Sequence, residues 1–352
     1  LYRDNEILIF DEPTAVLTPQ EVEELFIIMR QLTSEGHTVI FISHKLNEVM
    51  TISQRVTVLR GGKSAATVNT KDTSKEELAR LMVGRDVFLR MDKKPCNPGE
   101  TVLEVKGIEC LNNKNLQALK NLSLEVKAGE ILAIAGVDGN GQSELVESIT
   151  GLRHVTKGQV FLNGKDMTNK PPRDILEEKV AHIPEDRHRR GLVMNMPIKE
   201  NFMLMSYYKK PYSKGISLDW NYIETHSKEL VEQFNVKCPN IEVQAKNLSG
   251  GNQQKVILGR EIDREPNLLI AMHPVRGLDI GAMEYVHKRI IEERDRGAAV
   301  LLVSTELEEV LSLSDRIAVL YEGEIMGVIE NDDNVNIEEL GLMMAGSKKM
   351  AS

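Results

Sequence analysis

At 352 residues, 41% hydrophobic and 28% charged, the chain is long enough for two domains with real cores and falls in the globular class. No apolar run reaches the length that spans a bilayer, which excludes a membrane channel, and a formal net charge of −9 argues against general nucleic-acid binding. Three cysteines, Cys96, Cys110 and Cys238, have no metal-ligand spacing and fit a reducing compartment better than a disulfide framework. Nothing near the first residue resembles a secretory signal, which points to the cytosol. Leu1 is not a methionine and a strand begins almost at once, so a missing upstream portion is expected.

The first predicted element is the apolar strand Ile7 to Phe10, ending in Asp11 and Glu12. A strand-end acid can hold magnesium directly or through water, and a neighbouring carboxylate can orient or deprotonate an attacking water, although such acids also serve as helix caps. An amphipathic helix from Pro19 to Ser34 and a continuous apolar strand from Thr38 to Ser43 follow, the strand reading as buried on both faces. His44, just beyond it, can contact a γ-phosphate or transition-state charge, where a lone histidine is otherwise only packed or solvated. The polar, two-proline run Asp92 to Gly99 reads as a linker.

Val102 to Ile108 and Leu122 to Val126 then read as antiparallel strands leading into a strand from Glu130 to Ala135. That strand enters Gly136-Val137-Asp138-Gly139-Asn140-Gly141-Gln142-Ser143-Glu144 and a helix, matching the phosphate loop G-x-x-x-x-G-K-[ST] except that Gln142 holds the lysine position. The glycines let the backbone wrap an anion and Ser143 can ligate magnesium. The missing ammonium removes the main positive charge on the terminal phosphates, so nucleotide binding is expected here and efficient hydrolysis is not. The cluster Arg187-His188-Arg189-Arg190 reads as a solvated loop. Asn247-Leu248-Ser249-Gly250-Gly251-Asn252-Gln253-Gln254 reads as a loop opening into a helix, whose start is either an anion site or an ordinary cap.

The chain also repeats itself. Ile7 to Thr14 aligns with Leu268 to Val275 at an offset of 261, the distance from Asp11 to Met272. The same offset matches Gly36 to Gly297, Ser43 to Ser304, Val49 to Val310, Arg55 to Arg316 and Gly62 to Gly323, and one added residue brings Gly84 onto Gly346. A tandem duplication is expected, with residues 1–91 the C-terminal part of one unit, 92–101 a linker, 102–346 a complete second unit and 347–352 a tail.

Taken together, Asp11 to Thr14, His44, Gly136 to Ser143 and Leu248 to Gln254 resemble the ATPase subunit of an ATP-binding cassette importer. The tandem arrangement and the run Ile183-Pro184-Glu185-Asp186-Arg187 with Gly191-Leu192 resemble the simple-sugar and nucleoside type. The resemblance implies an α/β P-loop NTPase fold with a mostly parallel sheet, an antiparallel β subdomain and a helical signature subdomain. By the family's pattern Asp11 is the Walker B magnesium residue, Glu12 the catalytic glutamate and His44 the switch histidine of the first cassette. Ala15-Val16-Leu17-Thr18 is its D-loop, with Thr18 where aspartate is usual. In the second cassette Leu248, Ser249, Gly250, Gly251 and Gln254 belong to the signature, Arg276-Gly277-Leu278-Asp279 is the D-loop, and Glu185 stands where a glutamine senses the membrane partner.

The repeat exposes an asymmetry, because Asp11, Glu12 and His44 become Met272, His273 and Thr305. Met272 cannot bind magnesium as a carboxylate does, His273 is a poor substitute for a metal-oriented base, and Thr305 carries no charge. Leu111-Asn112-Asn113-Lys114, where a base-stacking aromatic is expected, has none. The second site is therefore expected to be nearly inert. In the family each site pairs one cassette's phosphate loop with the other's signature, so the signature at Leu248 is expected to serve the first cassette, whose own loop is expected upstream of residue 1. The cofactors implied are ATP and Mg2+. The partners implied are membrane permease subunits and, indirectly, a substrate-binding lipoprotein, with the chain at the cytoplasmic face of the membrane. The loop wording and Arg187 to Gly191 look closer to the nucleoside than to the ribose or galactose type. The alternatives are a simple-sugar, ribose- or galactose-like importer ATPase and, less favoured, a non-transport tandem cassette acting on ribosomes or DNA.

Overall fold

The computed structural model describes residues 5–14, 17, 19–43, 45–60, 62–84, 93–332 and 335–350. The chain divides into two compact units, one comprising 1–90 with 279–284 and the other 91–278 with 285–352.

In the first unit β1 (Ile7–Asp11) and β2 (Thr38–Ile42) pair in parallel, Ile7 opposite Thr38 and Asp11 opposite Ile42. Parallel neighbours need a long crossover, which α1 (Pro19–Ser34) supplies. After α2 (Leu46–Ile52), β3 (Arg55–Arg60) and β4 (Lys63–Asn69) form an antiparallel hairpin. The last helix, α3 (Lys75–Val83), starts where the Ser74 side chain accepts the Glu77 N–H and stops at left-handed Gly84. Val49, Val58 and Leu78 form the core, with Phe41, Leu46 and Met82 against it.

The expectation that the strand from Thr38 to Ser43 is buried on both faces fails. Burial alternates along β1 and β2, and Ile7, Ile9, Ile40 and Ile42 remain 47–66% exposed. Phe26 of α1 meets Phe41 edge to face at 6.2 Å, so helix packing covers one side of β2 and leaves the other to solvent.

The second unit has three parts. A six-stranded sheet runs in the order β10 (Val180–Ile183), β13 (Leu268–Met272), β14 (Ala299–Ser304), β7 (Ile131–Ala135), β15 (Arg316–Tyr321), β16 (Glu324–Glu330), parallel except for the β15–β16 hairpin. A four-stranded antiparallel sheet runs β6 (Gln117–Lys127), β5 (Thr101–Leu111), β8 (Val155–Leu162), β9 (Lys165–Asp166). Gly158 at φ +82 is required there, since a Cβ would sit 2.3 Å from the Gly107 carbonyl oxygen. The third part holds α6 (Ile198–Met203), the short hairpin β11 (Ser213–Lys214) and β12 (Ser217–Leu218), α7 (Trp220–Gln233) and α8 (Gly250–Ile262).

Also in the chain are α4 (Gln142–Ile149), α5 (Pro172–Glu177), α9 (Ile280–Arg296), α10 (Leu307–Leu313) and α11 (Ile337–Met344). One continuous core joins both sheets and α4 through Leu103, Leu122, Leu145, Ile270, Leu301 and Val303. Here β7, β13 and β14 are buried along their whole length, as apolar runs between two layers should be. Burying each Leu or Ile of this kind contributes about 1.5–3 kcal/mol.

The linker residues are docked. Lys93 pairs with Asp315 at 3.2 Å, Arg294 donates to the Lys94 carbonyl at 2.8 Å, and the Gly99 N–H donates to the Ala128 carbonyl at 2.8 Å.

Local geometry recurs at the 261 offset. Ile7 opposite Thr38 corresponds to Leu268 opposite Ala299, and the hairpin irregularity between Val58 and Leu59 to that between Val319 and Leu320. Glu12 and His273 share an unusual positive φ, 44° and 45°, and each donates its N–H to the neighbouring strand's end, Ile42 or Val303.

Candidate functional site

Strand β7 feeds the glycine loop, and α4 begins after Gly141, which at φ 110 turns the chain into the helix. Gln142 does not point outward as the missing lysine would. It is 4% exposed and folded into the loop, where its Oε1 accepts the Asn140 N–H at 3.1 Å and its Nε2 donates to the Val137 carbonyl at 2.8 Å. Asn140 Nδ2 donates to the same carbonyl at 3.0 Å, and its Oδ1 accepts the Glu322 N–H at 2.9 Å. A neutral amide thus takes up the Asn140 N–H, a donor that an anion would otherwise engage.

Met272 ends β13 and His273 follows it, with the buried ring Nε2 of His273 at 3.7 Å from Asp138 Oδ1. The structure thus brings Gly136 to Ser143 together with His273, but gives the position of the strand-end acid to a thioether. These residues do not fit a magnesium ion: Met272 offers no oxygen, leaving Ser143. No group of three His, Cys, Asp or Glu side chains suited to a metal occurs among the described residues.

Asp11 and Glu12 lie at the open end of β1, both exposed, with donor chemistry that fits magnesium and a general base. Thr14 Oγ1 donates to Glu48 at 2.7 Å and Ser43 Oγ to the same carboxylate at 3.2 Å, which fixes the turn after β1 to the segment after β2. His44, Ala15, Val16 and Thr18 lie outside the described residues.

At Leu248 to Gln254, Ser249 is the N-cap residue of α8, yet its side chain caps no backbone N–H. Its hydroxyl oxygen accepts only the Asn252 amide at 2.9 Å. The ordinary-cap reading therefore does not account for this serine, and the first-turn N–H groups have no side-chain cap from it. Gln253 is locked by Ala245 O at 3.1 Å and His188 Nε2 at 3.0 Å, and Gln254 by Pro274 O at 2.8 Å. Asp279, in the predicted D-loop, accepts the Ala282 N–H at 2.9 Å and so starts α9.

The basic cluster is the solvent-exposed loop expected, with His188, Arg189 and Arg190 exposed and Arg187 half-buried, and it also makes specific contacts. Arg190 pairs with Glu147 at 2.6 Å, and Arg187 donates to the carbonyls of Arg276 at 2.8 Å and Gly277 at 3.4 Å. Asp186 accepts the N–H groups of His188 and Arg189, which closes the turn. Glu185 pairs with Arg276. Burial pushes the Glu147 carboxyl up, but Arg190 and Arg153 outweigh it and hold it below the usual range.

Beside this turn opens a cleft of about 980 Å3, with Leu152, Ile175, Leu176 and Met205 on its apolar side and Arg173, Arg190 and Arg260 among its charges. His182 lines it with Nε2 buried and unpartnered, and burial pushes its pKa down to about 4. The folded state resists protonation that the unfolded chain accepts near pH 6.5, so this residue costs stability as pH falls from 6.5 towards 4. His226 has the opposite sign. Its hydrogen bond to Asp263 raises its pKa, so it stabilises below pH ~6.5 and that contribution is lost as pH rises through its folded value. We expect His182→Gln to flatten the acid limb, by up to about 1.4 kcal/mol per pH unit. Urea unfolding at pH 7, 6 and 5 reads this directly, and parallel wild-type and variant curves would refute it.

No helix among the described residues is long and apolar enough to cross a membrane. Residues 119–275 match the family model described as ABC transporter. The chain is 53% identical over 347 residues to the guanosine import ATP-binding protein NupO of Bacillus subtilis, covering 99% of this chain and 68% of that protein. It is 51% identical over 346 residues to the nucleoside import ATP-binding protein NupA of Lactococcus lactis, covering 98% and 68%. A nucleotide-free ATP-binding cassette from an ABC transporter superposes with a TM-score of 0.58 at 23% identity, over 66% of this chain and 93% of that one.

Proposed function

The chain belongs to the ABC transporter ATP-binding family, and from that premise we propose that it is the energy-coupling ATPase subunit of a nucleoside importer, with one competent and one degenerate site. The observation that carries the asymmetry is the pair of equivalent strand ends: Asp11 and Glu12 in one unit, Met272 and His273 in the other, in the same backbone geometry. The recurrence of register and hairpin irregularity supports reading residues 1–91 as part of one cassette and 102–346 as a second.

Bound magnesium-ATP supplies the phosphoryl group whose transfer to water drives the cycle. Asp11 would hold the metal and Glu12 would orient and deprotonate the water; Ser249 with the first-turn amides of α8 would offer donors to phosphate charge. Residues 1–10 carry no glycine loop ahead of Asp11, so the 352 residues alone turn over ATP poorly. We read the cleft lined by Pro184, apolar on one side and cationic on the other, as the seat of a permease segment, and the chain as working at the cytoplasmic face of the membrane. Nucleosides rather than sugars follow from the names of the two relatives.

Removing this protein from its host is expected to abolish ATP-dependent uptake of labelled guanosine and leave ribose uptake intact. The reverse pattern would make the sugar reading the better one, and loss of neither would remove transport.

A further inference from the structure

The turn after β10 makes contacts that the sequence reading assigns to nothing. Arg187 spreads its guanidinium between two backbone segments, donating from Nη1 to Arg276 O at 2.8 Å and from Nη2 to Gly277 O at 3.4 Å. The same Nη2 lies against the start of α8, where a Cβ on Gly250 would come within 3.1 Å of it, and a Cβ on Gly277 would come within 3.5 Å. Two neighbours add parallel ties. Glu185 pairs with Arg276, and His188 Nε2 meets Gln253 Oε1 at 3.0 Å. Gln254 closes the circuit by donating to Pro274 O at 2.8 Å. A cation beside a helix N-terminus is electrostatically disfavoured, so helix stability does not explain Arg187; its fork of donors matches the two successive carbonyls.

We propose that Glu185 to His188 form a clamp, with Arg187 as its positioning residue, that ties the Arg276–Gly277 turn to the start of the signature helix and passes displacement at Glu185 to both. A lysine would reach one carbonyl but could not fork between two. The transport consequence rests on the reading above, in which Glu185 faces the permease and α8 caps an ATP site; the clamp itself rests on the contacts alone.

Two measurements separate these. Hydrogen exchange on the 352-residue protein reads the clamp: Arg187→Gln should speed exchange of the Gln253 and Leu278 amides by roughly tenfold, with Arg187→Lys in between. These amides bond Ser249 O and Val275 O within the two clamped segments, while Ile257, deeper in α8, serves as the internal control for folding. Unchanged exchange at both amides, or equal acceleration at Ile257, overturns the clamp. The assembled transporter in lipid vesicles reads the coupling. Glu185→Arg and Arg276→Glu should each lower the ratio of guanosine-stimulated to unstimulated ATP turnover by roughly fivefold or more, and the double charge swap should restore most of it. Singles that leave the ratio intact, or a swap that restores nothing, overturn the proposal. A wild-type transporter with no stimulation at all removes the permease reading, and exchange alone then decides the clamp.

Discussion

Glu12→Gln is expected to lower ATP turnover of the assembled transporter by about 100-fold or more, and His273→Gln by less than about twofold. Both residues occupy the same strained position, one past the end of a parallel strand with φ near 45° and the N–H held by the next strand. Backbone geometry is therefore matched and only the side-chain chemistry differs. Glutamine in place of Glu12 keeps the shape and a hydrogen-bond acceptor but cannot take a proton from water. His273 already lacks that role: its ring faces the Asp138 carboxylate, Met272 beside it has no metal-binding oxygen, and the loop's carbonyl and amide groups are engaged by Gln142. Phosphate release by the purified complex measures both. Equal losses from the two substitutions would sink the asymmetric-site reading. The 352-residue chain assayed alone provides a second check, since turnover matching the complex would show that it holds a complete site without further residues.

Much of this was legible because it is written locally. Apolar runs such as Leu268 to Met272 and Ala299 to Ser304 announce strands covered on both faces, and both are buried throughout. The glycines before Gln142 announce a turn into a helix, and α4 begins there. The same logic misjudged Thr38 to Ile42, whose composition is that of a two-sided strand but whose isoleucines stay exposed, because composition records what a strand can bury and not what lies against it. Side-chain direction was also out of reach. Gln142 reads as a lost lysine, yet whether it hangs open or folds into the loop depends on carbonyls in three dimensions. Arg187 was harder still: its partners lie 89 and 90 residues away, and in sequence it is only the start of a basic cluster.

The largest stability effect is expected at Asp315→Ala, about 2–3 kcal/mol. Arg294 is 2% exposed, and Asp315 receives its guanidinium in a two-pronged contact, Nε to Oδ2 at 3.0 Å and Nη2 to Oδ1 at 3.0 Å. Asp315 also accepts the Ile131 N–H at 2.9 Å, where β7 begins, and pairs with Lys93. Removing it leaves the strand-end amide without its acceptor and takes the two-pronged contact from a buried guanidinium that keeps only Asp295 at 3.0 Å and the Lys94 carbonyl at 2.8 Å. Denaturant unfolding measures the loss, and a change under about 1 kcal/mol would show that Asp295 and the Lys94 carbonyl alone compensate Arg294. The double change Arg294→Met with Asp315→Leu distinguishes two roles for the pair. If the pair only fills space, this apolar replacement should recover most of the stability. Recovery of stability without recovery of the position of β7 would mean that the charges set the register of the strand that delivers the glycine loop. At the aligned positions the first unit carries Thr33 and Gln54, which cannot form an ion pair, so this anchoring belongs to the second unit alone.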